Sequence, residues 1–106
     1  MRFEWDPHKA VINLRKHGVS FETAIRIFED PRVLSAQDTR YSDERWYSIG
    51  NVGKRIIYVA HTIENEGQTN ETIRIISARK ASARERREYQ ADAATDLGAD
   101  DGKSSG

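Results

Sequence analysis

The chain is expected to fold as a small α+β domain, with two N-terminal helices, an antiparallel sheet and a C-terminal helix. Three observations predict this. Phe21, Ala24, Ile25 and Phe28 recur at i, i+3, i+4 and i+7, the apolar stripe of a helix. From Val33 onwards the apolar period shortens to that of strands. Between Thr72 and Tyr89 the chain then passes from β-branched residues to charged helix formers. Helices before and after a strand meander fit a layer architecture with the helices packed on one face of the sheet.

Arg2 to Trp5 reads as a short first strand. Asp6-Pro7 supplies a helix N-cap followed by proline at the first helical position. That helix runs to about His17 and stops at Gly18, a residue suited to a left-handed C-terminal cap. Ser20 caps the second helix, and Asp30-Pro31 ends it, because the residue before proline is pushed out of helical geometry. Val33 to Gln37, Arg45 to Val52, Arg55 to Thr62 and Thr72 to Ala78 follow as strands. Val52-Gly53-Lys54 is short enough to join two of them as an antiparallel hairpin. Arg55 to Thr62 is apolar on both faces and belongs in the middle of the sheet. Ser82 with Glu85 three positions later is a capping-box start for the last helix.

The 106 residues leave room for one domain, with a thin core under a surface rich in charge. No stretch approaches the length of a membrane span, and no signal peptide is visible. Cysteine is absent, which excludes disulfides and thiolate metal sites. The formal net charge of 0 conceals an asymmetry. Asp92, Asp96, Asp100 and Asp101 against Lys103 give residues 91–106 a net of −3, which leaves +3 on residues 1–90. Between Thr72 and Tyr89 six bases face two acids. Such an excess suits a phosphate-rich partner, and it equally suits a solvated helix face with local Arg–Glu pairs. The segment 91–106 has Leu97 as its one large apolar side chain and is expected to be an acidic, disordered tail.

The ordered set Phe3-Glu4-Trp5-Asp6, Asn13-Leu14-Arg15-Lys16-His17-Gly18-Val19-Ser20-Phe21, Ala24, Phe28-Glu29-Asp30, Asp43-Glu44-Arg45, Gly50, Arg74-Ile75-Ile76-Ser77-Ala78-Arg79-Lys80-Ala81, Glu85-Arg86 and Tyr89 resembles the BrnT family of type II toxins. The resemblance covers roughly residues 1–90, which would form the toxin domain, and stops before the tail. It implies a RelE-like fold and a cytoplasmic endoribonuclease that arrests translation without metal or other cofactor. It also implies a cognate BrnA-like antitoxin of the ribbon-helix-helix type, through which alone operator DNA would be met, and no membrane partner. The rival reading, from a different class, is a noncatalytic module that binds nucleic acid or the antitoxin, a degenerate toxin.

Metal-independent RNA cleavage needs a base for the 2′-hydroxyl, cations for the phosphorane and an acid for the leaving 5′-oxygen. His8, His17 and His61 show no paired metal-ligand spacing. Arg79 is the leading catalytic candidate, since it follows the strand, precedes the Ser82 cap and carries a planar fork of donors. Its alternative is a structural tie to a nearby carboxylate. Arg74, a cation in an apolar strand, is either catalytic or ion-paired. Glu44 and Arg45 at the opening of the third strand are a candidate base and phosphate clamp, or a cross-strand salt bridge. Lys80, Arg84, Arg87 and Tyr89 are the candidate RNA contacts, although Tyr89 would serve equally well as an anchor for the last helix. His17 reads first as a favourable last-turn cation and His61 as a satisfied core histidine. The antitoxin is expected over the basic face around Arg79, Arg84 and Arg87, with its apolar contacts supplied by Tyr89 or Trp46.

Overall fold

The structure is a computed structural model that describes residues 1–41 and 44–92. The chain runs β1 (Arg2–Glu4), α1 (Pro7–His17), α2 (Phe21–Ala24), β2 (Leu34–Gln37), β3 (Trp46–Val52), β4 (Arg55–Glu64) and β5 (Thr72–Lys80). A last helix, α3, covers residues 83–92. Most of the tail lies outside the described residues; Ala91 and Asp92 continue α3.

The caps act where the chain chemistry places them. Asp6 accepts from the His8 N–H at 2.8 Å to open α1. Gly18 closes it at φ 71°, donating its N–H to Leu14. Ser20 accepts from the Thr23 N–H to open α2. Each such cap satisfies donors that the first or last turn leaves open. The apolar stripe beyond Ala24 winds as a 3-10 turn over Ile25–Glu29 rather than as α-helix. Gly50 of β3 lies directly beneath that turn: a Cβ there would meet the Ile27 Cβ at 2.7 Å. Backbones this close require glycine.

The five strands form one sheet in the order β1-β5-β4-β3-β2. All neighbours are antiparallel except β1, which joins β5 in parallel, so the sheet is mixed rather than purely antiparallel. The β3–β4 pair is the expected hairpin, and β4 takes the central position. Its two apolar faces build two cores. Ile57 and Val59 join Val19, Phe21, Ala24, Ile27, Ile73, Ile75 and Ala78 beneath α1 and α2. Tyr58 joins Ile49, Ala81 and Tyr89 on the opposite face. The helices therefore do not share one side. Tyr58, Tyr47 and Ile49 make a second apolar surface that needs cover, and α3 supplies it through Tyr89.

A register shift in the β4–β5 ladder decides what each face carries. Ala60 pairs with Ser77 and His61 with Ile75, which leaves Ile76 as the extra residue of a β-bulge. Strict alternation would set Arg79 on the side of Ile73 and Ile75. After the bulge Ala78 faces that core instead, and Arg79 stands opposite Tyr58 on the α3 side.

Two buried polar devices hold the layers together. Asn13, the one buried residue of α1, uses its amide as a substitute strand. Its Nδ2 donates to the carbonyls of Ala78 at 2.8 Å and Val19 at 3.0 Å, and its Oδ1 accepts from the Ala78 N–H at 3.1 Å. It thus satisfies β5 where β1 has already ended. His61 is fully buried and paired through Nε2 with Ser48 at 2.7 Å, and Ser48 is joined to Ser35 at 2.6 Å. Burial holds the imidazole neutral, down to a pKa of about 4. It is a core histidine, as its place on a central strand suggested.

Candidate active site

A trough of about 520 Å³ opens on the α3 face of the sheet. Its floor is aromatic. Tyr47 of β3 and Tyr58 of β4 alternate onto this face, and their rings stack at 5.6 Å with 13° between planes. One wall is the start of α3, with Ser82, Arg84, Glu85 and Glu88; the other is the segment from Gln37 to Arg40 that follows β2.

Both walls are shaped by local hydrogen bonding. Ser82 and Glu85 form the capping box: Ser82 Oγ accepts from the Glu85 N–H at 3.2 Å, and Glu85 Oε1 accepts from the Ser82 N–H at 2.8 Å. Opposite, Asp38 accepts the Arg40 backbone N–H and both arms of its guanidinium fork, at 2.8 Å and 2.7 Å. The Arg40 bonds hold the Asp38 carboxyl at a pKa of about 2. The Asp38 N–H donates to the Arg45 carbonyl at 2.8 Å and closes the base of this loop.

Arg79 supports the trough from behind Tyr58. Its guanidinium carbon lies 4.1 Å from the Tyr58 ring centroid, a cation–π contact. Its Nη1 and Nη2 donate to the two oxygens of Glu85 at 2.7 Å and 2.9 Å. Burial opposes ionisation of Glu85, but the bonds from Arg79 and Ser82 outweigh it and keep the carboxyl below its ordinary pKa. The Glu85 bond in turn raises the pKa of Arg79. The structural tie is therefore present: Arg79 clamps a carboxylate that caps α3, and it also lies against the ring that floors the trough.

Tyr47 donates its hydroxyl to Glu88 Oε1 at 2.7 Å, across the trough and 41 residues away in sequence. That bond, followed by burial, pushes the phenol up to about 12. Glu88 is exposed to solvent beside it. Neither residue stood out in the sequence. The available signals were the strand alternation that sets Tyr47 and Tyr58 on one face, and the spacing of Glu85 and Glu88 on one side of a helix that follows a recognisable cap.

The remaining candidates are distributed unevenly. Arg84 lines the trough. Glu44 and Arg45 stand next to it, lining a smaller cleft that shares Gln37, Asp38 and Thr39, and the Arg45 guanidinium lies 4.4 Å over the Tyr41 ring. They precede β3 rather than opening it. Arg74 shares the sheet face but lies five residues back along β5, about 16 Å at ~3.3 Å per residue, and pairs with Glu4 at 3.3 Å. Lys80 lines a separate cleft with Lys54, Arg55 and Arg86. Arg87 is exposed on α3 and does not line the trough. Tyr89 is buried at 8% exposure and donates its hydroxyl to Asp30 Oδ2 at 2.6 Å. The same oxygen accepts the Asn51 N–H at 2.8 Å, so Tyr89 ties α3 to the end of β3.

Fold and site together define a small α+β protein with a charged, aromatic-floored trough between one helix and one sheet face. Residues 5–85 match the family model of BrnT, the ribonuclease toxin of type II toxin-antitoxin systems, and the chain belongs to that family. The comparison with curated proteins gives no match.

Proposed function

We propose that this toxin is a metal-independent endoribonuclease whose trough holds the RNA backbone, and that it acts in the cytoplasm to arrest translation until a BrnA-like ribbon-helix-helix antitoxin neutralises it. One observation carries the reading. The trough brings a hydrogen-bonded phenol and carboxylate, Tyr47 and Glu88, together with Arg84, Arg40 and the Arg79-backed ring of Tyr58. These are the parts that cleavage at a 2′-hydroxyl needs: a proton acceptor, a proton donor and cations for a phosphorane.

In this reading Glu88 takes the 2′-hydroxyl proton as the 2′-oxygen bonds to phosphorus. The P–O5′ bond breaks, and Tyr47 gives its proton to the departing 5′-oxygen. Glu88 then returns its proton to the Tyr47 phenolate along the 2.7 Å bond, which resets the pair. The products are a 2′,3′-cyclic phosphate and a 5′-hydroxyl. Arg84 and Arg40 meet the phosphate, and an unstacked base lies against Tyr47. Glu44 and Arg45 extend this surface over the adjoining cleft, and Lys80 and Arg87 meet RNA beyond the scissile phosphate. Tyr89 acts by holding α3 in place.

The rival reading, a binding module without catalysis, has one observation in its favour. Arg40 and Arg79 each already hold a carboxylate through a bidentate fork. Purified protein incubated with RNA in EDTA separates the two. Cleavage that yields cyclic-phosphate ends and falls a hundredfold or more in Tyr47→Phe and Glu88→Gln supports the nuclease. Intact RNA, with no growth arrest on expression, supports the module.

A further inference from the structure

The outer surface of α1 is built the wrong way round for a helix that only covers a core. Its one buried residue is the polar Asn13, whereas Val11, Ile12 and Leu14 are each 49% exposed. At 100° per residue, Leu14, Val11, Arg15, His8 and Ile12 share an arc of about 160°. An amphipathic helix ordinarily turns such aliphatics inward. The helix's own charge is of one sign: Lys9, Arg15 and Lys16 lie within Pro7–His17, and the nearest carboxylate in sequence is its N-cap, Asp6. Beside the arc a groove of about 270 Å³ runs between Ile12, Lys16 and His17 of α1 and Ile76 and Ser77 of β5. Here β5 extends beyond β1, whose pairing stops at Arg74, and the Asn13 amide satisfies only Ala78.

We infer that this face of α1 is the anchoring surface for the antitoxin, and that it receives an acidic, amphipathic segment of that partner. The inference rests on the reading of the chain as a toxin with a cognate antitoxin. The aliphatics give an RNA backbone nothing to bind, but they fit an apolar stripe, and the cations, Arg15 within the arc and Lys9 and Lys16 beyond Ile12, fit carboxylates in and beside that stripe. Of the two expected apolar contributors, Tyr89 is buried against Asp30 and cannot serve, and Trp46 is half-buried at the start of β3. α1 packs against β5 on the face opposite the trough, so partner binding there leaves the nuclease residues untouched and separable by mutation.

The test uses the antitoxin encoded in the same operon and the full toxin chain. Val11→Ser/Ile12→Ser/Leu14→Ser should weaken antitoxin binding at least a hundredfold while RNA cleavage stays at the parent rate, and cells making the antitoxin should no longer be protected. Arg15→Glu/Lys16→Glu, which leaves every apolar contact in place, should weaken binding about tenfold at low salt and flatten its salt dependence. Parent-like affinity in both variants overturns the inference while leaving the nuclease reading intact. Loss of RNA cleavage in the triple variant, with a retained melting transition and unchanged antitoxin affinity, would assign the face to RNA and also overturn it. Loss of self-association by sedimentation, again with antitoxin affinity unchanged, would assign it to a second copy of the chain. Failure of the parent toxin to bind that antitoxin would overturn the inference together with the antitoxin reading, and the EDTA cleavage assay would still judge the nuclease.

Discussion

The Arg79 guanidinium and the Glu85 carboxylate meet through two parallel bonds, at 2.7 Å and 2.9 Å, and the same carboxylate caps the first turn of α3. One side chain thus links the end of β5, the floor of the trough and the wall that carries Glu88. Arg79→Ala should lower RNA cleavage about a hundredfold by loosening the ring and the helix that position Tyr47 and Glu88, and stability by only about 1 kcal/mol, because the pair is partly solvated. Arg79→Lys retains the charge but loses the fork, and should fall between the two. Single-turnover cleavage and urea midpoints measure both effects. A parent-like rate in the alanine variant would reduce Arg79 to a clamp for α3.

Asn13→Ala should be among the most damaging changes in the chain. It strands the N–H and carbonyl of Ala78 and the carbonyl of Val19 at a site where Asn13 itself is only 6% exposed. Lost bonds to buried backbone groups should cost about 3 kcal/mol, visible as a lower urea midpoint at unchanged m-value. A midpoint within error of the parent would mean that water replaces the amide and that α1 is held by other contacts.

Gly50→Ala should destabilise the fold by about 1–3 kcal/mol. The new methyl would stand 2.7 Å from the Ile27 Cβ and 3.1 Å from the Ile27 carbonyl oxygen, and neither is the free end of a flexible side chain. Thermal melting of the variant checks this. An unchanged transition would show that the 3-10 turn above β3 can lift at little cost.

Stability should also fall in weak acid through His61. Its folded pKa of about 4 lies below the ordinary 6.5, so between these values the unfolded chain takes up a proton that the folded one refuses. The contribution is complete above pH 6.5 and is lost progressively as the pH falls towards 4, to about 3 kcal/mol at most. An NMR titration of the imidazole should place its midpoint near 4, with a shallower pH dependence of melting in His61→Gln. A midpoint near 6.5 would contradict the buried, neutral state.

Much of this molecule is decided by chemistry that acts over a few residues, and that part is legible without coordinates. Asp6, Gly18, Ser20 and the Ser82–Glu85 pair mark helix ends because a cap satisfies backbone groups within one turn. The double-faced apolar pattern of Arg55 to Thr62 sets β4 in the middle of the sheet, and family membership follows from the order of motifs along residues 5–85. What the tertiary structure alone decides is which side chains meet. The bulge at Ile76 arises from the register of two paired strands, and it alone brings Arg79 to the face of Tyr58. Tyr47 and Glu88 bond across 41 residues only because α3 crosses to the second face of the sheet. The exposed aliphatics of α1 become visible as a surface only once Asn13 is seen to take the inward position. Periodicity records which residues share a side of an element, but packing determines which side is turned inward and what lies against it.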